Sequence, residues 1–269
     1  MAMKSAVVTG VSRGIGHAVA AMLIADGWRV LGLSRMPPDD ILTMPDTYQW
    51  LHYNLGSRDI GNYLGVIARQ FDCIDALVHC AAIQGPIAPL AACERSAWDE
   101  TIRVNLMGTF RVLHAFLPLL HRSDDGRILL FSGGGAFNGR ENHTAYAASK
   151  AGVVALMESL ADELRHSTVT VNCVAPGYVP SGMPGAWAEE RVDEAMVEAV
   201  NCVRHLLSPA ARGLSGKTIS APHDNWSDIN PMTVASVNAS MQGTRWRHPI
   251  QRVVELTRVL SRNPAGRLA

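Results

Sequence analysis

The chain has 269 residues, 24 basic and 24 acidic side chains, and a sequence pI near 7.1. That balance argues against a polyanion partner such as nucleic acid, and no apolar run approaches the roughly 18 residues needed to span a bilayer. Cys73, Cys80, Cys93, Cys173 and Cys202 show neither CxxC spacing nor a paired framework, so they read as reduced thiols of a cytoplasmic protein. The histidines lack tight ligand spacing, and no metal site is expected.

The amino end runs directly into an apolar, β-prone segment, Ser5 to Thr9, which leaves no room for a signal peptide. Gly10-Val11-Ser12-Arg13-Gly14-Ile15-Gly16 follows, then a helical pattern through Ala18, Val19, Met22 and Leu23. Strand, glycine turn and helix in this order suit a dinucleotide. The glycines allow a tight turn and a close phosphate, and the helix start offers free N–H groups to the anion. The second strand, Trp28 to Leu33, leads to Ser34-Arg35. An acidic residue there would grip the ribose 2′-hydroxyl of NAD. Arg35, with Arg13 in the glycine turn, suits a 2′-phosphate instead. NADP(H) is therefore the expected coenzyme, with NAD possible; the alternative is that both arginines are plain surface charges.

Strand-like runs continue at Tyr48 to Asn54, Ile74 to His79, Arg127 to Phe131, Thr168 to Val174 and Gly216 to Ser220. Helical stretches fall near 57–71, 95–121, 146–166 and 188–207, with a kink or end expected at Pro118 in the second of them. This alternation predicts one α/β domain, a doubly wound Rossmann-type parallel sheet with helices on both faces. Its bounds are 1–227, and 228–269 form an extension packed on the same domain or on a neighbouring subunit. In that extension Arg245-Trp246-Arg247-His248 resembles a nucleic-acid patch, which the neutral balance argues against. Ligands of such sheets sit at the carboxyl ends of the strands. Asn54, the His79-Cys80-Ala81-Ala82 stretch, Ser132 and Pro176-Gly177 all lie at such ends.

Tyr146-Ala-Ala-Ser-Lys150 places a phenol and an ammonium one helical turn apart on one face. Chance would supply about 0.06 such pairs in this composition. A cation beside the phenol would lower its pKa toward neutrality and make it a proton donor and acceptor. The alternative is a solvated helix face. His143, three residues before Tyr146, could contact substrate but reads first as a surface loop histidine. Pro180 to Trp187 reads as a turn-rich loop in which Gly182 and Gly185 would allow hinge motion and Met183 and Trp187 apolar contact.

With Thr9 to Gly16, Tyr146 to Lys150, Val104-Asn105-Leu106 and Asn172-Cys173-Val174-Ala175-Pro176-Gly177 in this order, the chain resembles the short-chain dehydrogenase/reductase family, from about residue 5 to residue 220. The resemblance implies a nicotinamide-dependent enzyme acting on a small carbonyl/alcohol pair, assembled as a homodimer or homotetramer. It makes Tyr146 the catalytic acid/base and Lys150 the ribose-binding, pKa-lowering partner. Asn105 would hold a relay water, and Ser132 would hydrogen-bond the substrate oxygen. Asn54-Leu55 would meet the adenine, and Val179 the carboxamide. A dehydratase or epimerase of the same fold, or a coenzyme-binding regulator with little turnover, is the alternative. Three departures stand out. Gly133 occupies the family's serine position 13 residues before the tyrosine, with Ser132 one residue earlier. His79-Cys80-Ala81-Ala82 replaces Asn-Asn-Ala-Gly, where His79 could brace the sheet with one ring nitrogen. The tail lacks the usual Asp-Gly ending.

Overall fold

The computed structural model describes residues 3–39, 45–57, 60–133, 136–137, 139–179 and 192–234. Seven strands form one parallel sheet: β1 (Ser5–Thr9), β2 (Arg29–Ser34), β3 (Tyr48–His52), β4 (Ala76–His79), β5 (Arg127–Phe131), β6 (Thr170–Ala175) and β7 (Thr218–Ser220). Their spatial order is β3-β2-β1-β4-β5-β6-β7. The order reverses between β1 and β4, and that switch point opens a crevice at the carboxyl ends of the strands. Among the described residues six helices cover the sheet: α1 (Gly14–Ala25), α2 (Ile60–Ala68), α3 (Arg95–Ile102), α4 (Gly108–Leu120), α5 (Thr144–Glu163) and α6 (Val192–Leu206).

The strands are buried on both faces, so they read as continuous apolar runs rather than alternations. Period two still sorts their side chains. Val7, Leu31, Leu33, Leu77, Ile128 and Leu130 pack under α2, α4 and α5. Ala6, Val8, Val30, Val78 and Leu129 pack under α1 and α6. Both faces thus have a core, and the sheet is held rigid beneath the crevice.

The long helical stretch expected over 95–121 is interrupted, but not at Pro118. That residue lies inside α4, which continues to Leu120. The interruption is a single wide π-turn, Arg103–Met107, between α3 and α4. A proline forfeits one backbone bond and clashes one turn back, yet α4 runs two residues past it. The π-turn instead inserts an extra residue, a feature frequent at functional sites, and Asn105 sits in it.

After β7 the chain packs back on α6. His205 Nε2 meets the Ile229 carbonyl at 2.9 Å, and Ile229 and Val234 are buried in the α6-side core. The predicted hinge residues Gly182 and Gly185, with Met183 and Trp187, lie outside the described residues. So do Arg245 to His248 and the rest of the tail beyond Val234. Among the described residues no helix is long and apolar enough to cross a membrane, and no His/Cys/Asp/Glu group could hold a metal ion.

Asp224 caps the end of β7 by accepting the Ser220 N–H at 2.7 Å, while its other carboxylate oxygen is buried without a partner. Burial pushes this carboxyl up to about 6 from 3.8, against the opposing pull of the Ser220 N–H and of His223. A carboxyl raised on folding binds its proton more tightly in the native state. Its penalty is therefore absent below 3.8, grows between the two values and is complete above about 6. Asp224→Asn keeps an acceptor for Ser220 and removes the charge. It should stabilise the protein by about 1–2 kcal/mol at pH 7.5 and hardly at all at pH 4. Urea melts of both proteins at the two pH values check this, and an equal shift at both would count against it.

Candidate active site

One large cavity of about 1120 Å³ opens at the carboxyl ends of the strands. It is at the upper end of the range for small-molecule pockets. The turn after β1 forms its floor. Gly10 has φ of +77°, and a Cβ there would lie 2.9 Å from both Cα and N of Ala81. Only glycine lets the turn pass the end of β4 so closely. Gly10, Ser12, Arg13, Ile15 and Gly16 line the cavity, whereas Gly14 (φ +62°) shapes the turn behind it.

Arg35 follows β2, and its loop is tied down by Ser34, whose Oγ donates to the Met36 carbonyl at 2.5 Å and accepts from Trp50 Nε1 at 2.9 Å. Arg13 and Arg35 are exposed, line the cavity and have no carboxylate partner among the described residues. Asn54 and Leu55, after β3, line the same end; Asn54 Oδ1 accepts the Gly56 N–H at 3.0 Å. Tyr53, Pro38 and Asp39 also line it, and no local sequence signal marked them.

The chain after β4 crosses the middle of the cavity with Cys80, Ala81 and Ala82. Thr9 Oγ1 accepts the Ala81 N–H at 3.2 Å and lies 2.8 Å from His79 Nδ1. The hydroxyl and the ring thus share one hydrogen bond, whose direction goes with the ring tautomer. His79 is buried, and its pKa is pushed down to about 3 by burial and by the Lys150 charge. It braces the sheet as a neutral ring, as its place in the sequence suggested.

Ser132, Gly133, Tyr146 and Lys150 close the other end, with Pro176, Gly177, Tyr178 and Val179 along the rim after β6. Lys150 is buried, and its ammonium donates to the Phe131 carbonyl at 2.9 Å, lying 5.8 Å from the centre of the Tyr146 ring. Burial pushes its pKa down to about 8, opposed by the Cys173 and Cys80 thiols. The Tyr146 phenol is raised rather than lowered. Burial dominates, and the cation that opposes it is Arg140, not Lys150. The one-turn spacing does put the two side chains on one face. Lys150 does not oppose that rise, because burial pushes its ammonium down to about 8, below the raised phenol.

Two further expectations meet a different geometry. Asn105 does not line the cavity. Its Oδ1 accepts the Ile83 N–H at 2.8 Å, while Nδ2 donates to the Ile83 carbonyl at 2.8 Å and to Ser149 Oγ at 3.0 Å. Ser149 in turn donates to the Tyr146 carbonyl at 2.8 Å. Both amide hydrogens are thus used within the protein. The side chain that the resemblance assigned to a water and to the coenzyme instead ties the chain after β4 to α5. Ser132 lines the cavity, but it is buried and its hydroxyl points to the Val174 carbonyl across a long 3.5 Å. Gly133, one residue on, faces Tyr146 directly: a Cβ there would lie 2.8 Å from both the phenol oxygen and Cε1.

Arg140 and His143, on the segment before α5, were not singled out as site residues in the sequence, yet both line this end. His143 is buried rather than a surface histidine, and its Nδ1 lies 2.6 Å from the Glu141 carbonyl.

The site therefore joins a phosphate-type glycine turn and two free guanidiniums to a buried Tyr-Lys pair. Its two ends, at β2 and β5, are three strand spacings, roughly 14 Å, apart. A family model described as short chain dehydrogenase matches residues 4–192. The chain belongs to the short-chain dehydrogenase/reductase family. It is an oxidoreductase acting on CH–OH donors with NAD(P) as acceptor, and the family acts on small molecules. It is 31% identical over 234 residues to nodulation protein G of a Rhizobium species, covering 80% of this chain and 94% of that one. It is 28% identical over 235 residues to the 3-oxoacyl-(acyl-carrier-protein) reductase FabG of Staphylococcus epidermidis, covering 80% and 96%. Among solved structures, a short chain dehydrogenase from Escherichia coli complexed with NADPH superimposes with a TM-score of 0.74 at 27% identity, over 81% of this chain and 96% of that one. One from Pseudomonas syringae does so at 0.74 and 30% identity, over 81% and 94%.

Proposed function

We propose that this short-chain dehydrogenase/reductase is an NADP(H)-dependent reductase of a small carbonyl compound, and a dehydrogenase of the matching secondary alcohol. The observation that carries this reading is the common cavity. Tyr146 and Lys150 share it with the glycine turn and with Arg13 and Arg35, two guanidiniums that lack carboxylate partners. When bound, the coenzyme supplies or takes up the hydride. Tyr146 hands its phenolic proton to the oxygen of the carbonyl as the carbon is reduced, and takes one from the hydroxyl in the reverse sense. Lys150 uses one N–H on Phe131 and keeps two for a ribose hydroxyl. Ser132 can turn its long bond from Val174 toward a substrate oxygen. Asn105 acts as a positioning residue by bracing α5 at Ser149.

The extension over 228–269 is read as a cap on the domain of 1–227 or on a neighbouring subunit. Burial of Ile229 and Val234 supports the first. A homodimer or homotetramer is in keeping with the exposed Met107 and Phe110, and a cytoplasmic site with the unpaired cysteines. The coenzyme-binding regulator remains as a second reading, because Gly133 takes the family's serine position.

A panel of carbonyls and alcohols, followed at the reduced-nicotinamide band with each coenzyme, tests the proposal. Turnover with NADPH well above NADH supports it; no absorbance change with any substrate overturns it. Each guanidinium on a phosphate contributes about 1.5–3 kcal/mol. The double variant Arg13→Ala/Arg35→Ala should therefore cut the NADPH-over-NADH ratio of kcat/KM by at least about 100-fold. An unchanged ratio would reduce both arginines to surface charges.

A further inference from the structure

Among the described residues, Arg140 is the one cation at the catalytic end of the cavity with neither a partner in the protein nor a role in the reductase reading. The Lys150 ammonium gives one N–H to the Phe131 carbonyl and its other two to the coenzyme ribose in that reading, and Arg13 and Arg35 stand at the far end. Arg140 has no ion-pair partner among the described residues, in contrast to Arg127, Arg204 and Arg212. Among the described residues the only carboxylate lining the cavity, Asp39, belongs to the loop after Arg35. Arg140 lines the cavity six residues before Tyr146, and its charge is felt at the Tyr146 phenol. A guanidinium kept unpaired beside the proton donor is placed to meet a negative group next to the reacting carbon.

We propose that the substrate carries a carboxylate close to its carbonyl or hydroxyl carbon, and that Arg140 binds it. The planar fork of guanidinium N–H groups matches two carboxylate oxygens. Among the described residues one free cation stands at this end of the cavity, to match one negative charge. The other polar neighbours fit the same assignment. Gln84 is neutral, and the Nδ1 hydrogen of His143 is already given to the Glu141 carbonyl, so the Arg140 fork is the group left for the carboxylate.

The inference rests on the reductase reading for the identity of the reacting group, and its test separates the two. Pyruvate and acetoacetate are compared with their methyl esters as substrates of the full chain with NADPH. The same pairs are given to Arg140→Met and Arg140→Lys. Because Arg140 also acts on the phenol, the acid-to-ester ratio of kcat/KM is the readout rather than either rate. The wild type should favour at least one acid over its ester by tenfold or more. Arg140→Met should lower that ratio at least tenfold, chiefly through KM, and Arg140→Lys should restore part of it. Esters preferred by the wild type, or a ratio unchanged in Arg140→Met, would overturn the assignment while the reductase reading stands. If no pair is reduced, equilibrium binding to the NADPH-loaded protein decides, and the reductase reading is left to the wider panel. Acid-selective binding that weakens tenfold in Arg140→Met upholds the carboxylate site; equal binding of acid and ester, or none, rejects it.

Discussion

Tyr146→Phe should lower kcat by about 10³-fold while leaving NADPH affinity within about twofold of the wild type. A positioned proton donor contributes roughly 10²–10⁴-fold. Tyr146 is the only phenol that lines the cavity beside Lys150 at its closed end, Tyr178 lying on the rim and Tyr53 at the nucleotide end. The substitution deletes one oxygen and keeps the ring that packs over Gly133. No hydrogen bond to the phenol oxygen is lost within the described residues, so the fold should be intact and the loss confined to proton transfer. The sign of the pH dependence follows from the raised phenol. An acid whose pKa is raised stays protonated through neutral pH, so carbonyl reduction should be nearly flat from pH 6 to 8. Alcohol oxidation needs the phenolate and should climb with pH over the same range. Single-turnover absorbance gives the chemical step, and fluorescence titration gives coenzyme affinity. A variant retaining a tenth or more of the wild-type rate would move the proton source elsewhere, with His143 the nearest alternative on the cavity wall.

The parts of the site that sequence made legible are those whose geometry is local. A strand, a glycine turn and a helix within 20 residues specify the phosphate end, and a spacing of four on one helix puts Tyr146 and Lys150 on one face. The parts it did not reveal depend on distant backbone. The Lys150 ammonium, 5.8 Å from the centre of the Tyr146 ring, is held by the Phe131 carbonyl, which belongs to a strand 19 residues earlier. Asn105 is in the expected helical region, but the π-turn aims its amide at Ile83, 22 residues upstream. Nothing in the residues 95–121 favours a break at Arg103–Met107 over one at Pro118. That choice reflects where the helix must bend to reach both the end of β4 and α5. Arg140 and His143 carry no motif. Their importance comes from the path of the loop before α5, which brings them into the cavity with Tyr146.

Gly133→Ala should reduce kcat by about 100-fold without abolishing coenzyme binding. The added methyl would sit 2.8 Å from the phenol oxygen and from Cε1, and 3.1 Å from Cζ. These distances are well inside normal contact, so either the ring or the strand end must yield. The strand end is held by the Ser132 N–H on the Val174 carbonyl at 3.0 Å, and α5 is fixed through Ser149 and Asn105. The ring therefore moves, by something on the order of 1 Å, and a misplacement of that size costs roughly 10² in rate. Packing strain of about 1–3 kcal/mol should also lower the melting temperature. Gly133→Ser carries the same Cβ but adds the hydroxyl that the family resemblance places at this position, so the pair separates sterics from chemistry. Steric control predicts that both variants fall together, and that Tyr146→Phe/Gly133→Ala shows the same drop in melting temperature, since Cε1 and Cζ remain. A Gly133→Ser protein that matched or exceeded the wild type would instead mean that the ring yields freely and that the site lacks a hydroxyl it can use. Ser132 would then be left as a strand-end residue hydrogen-bonded to Val174, and the assignment of the second substrate hydrogen bond to it would fall.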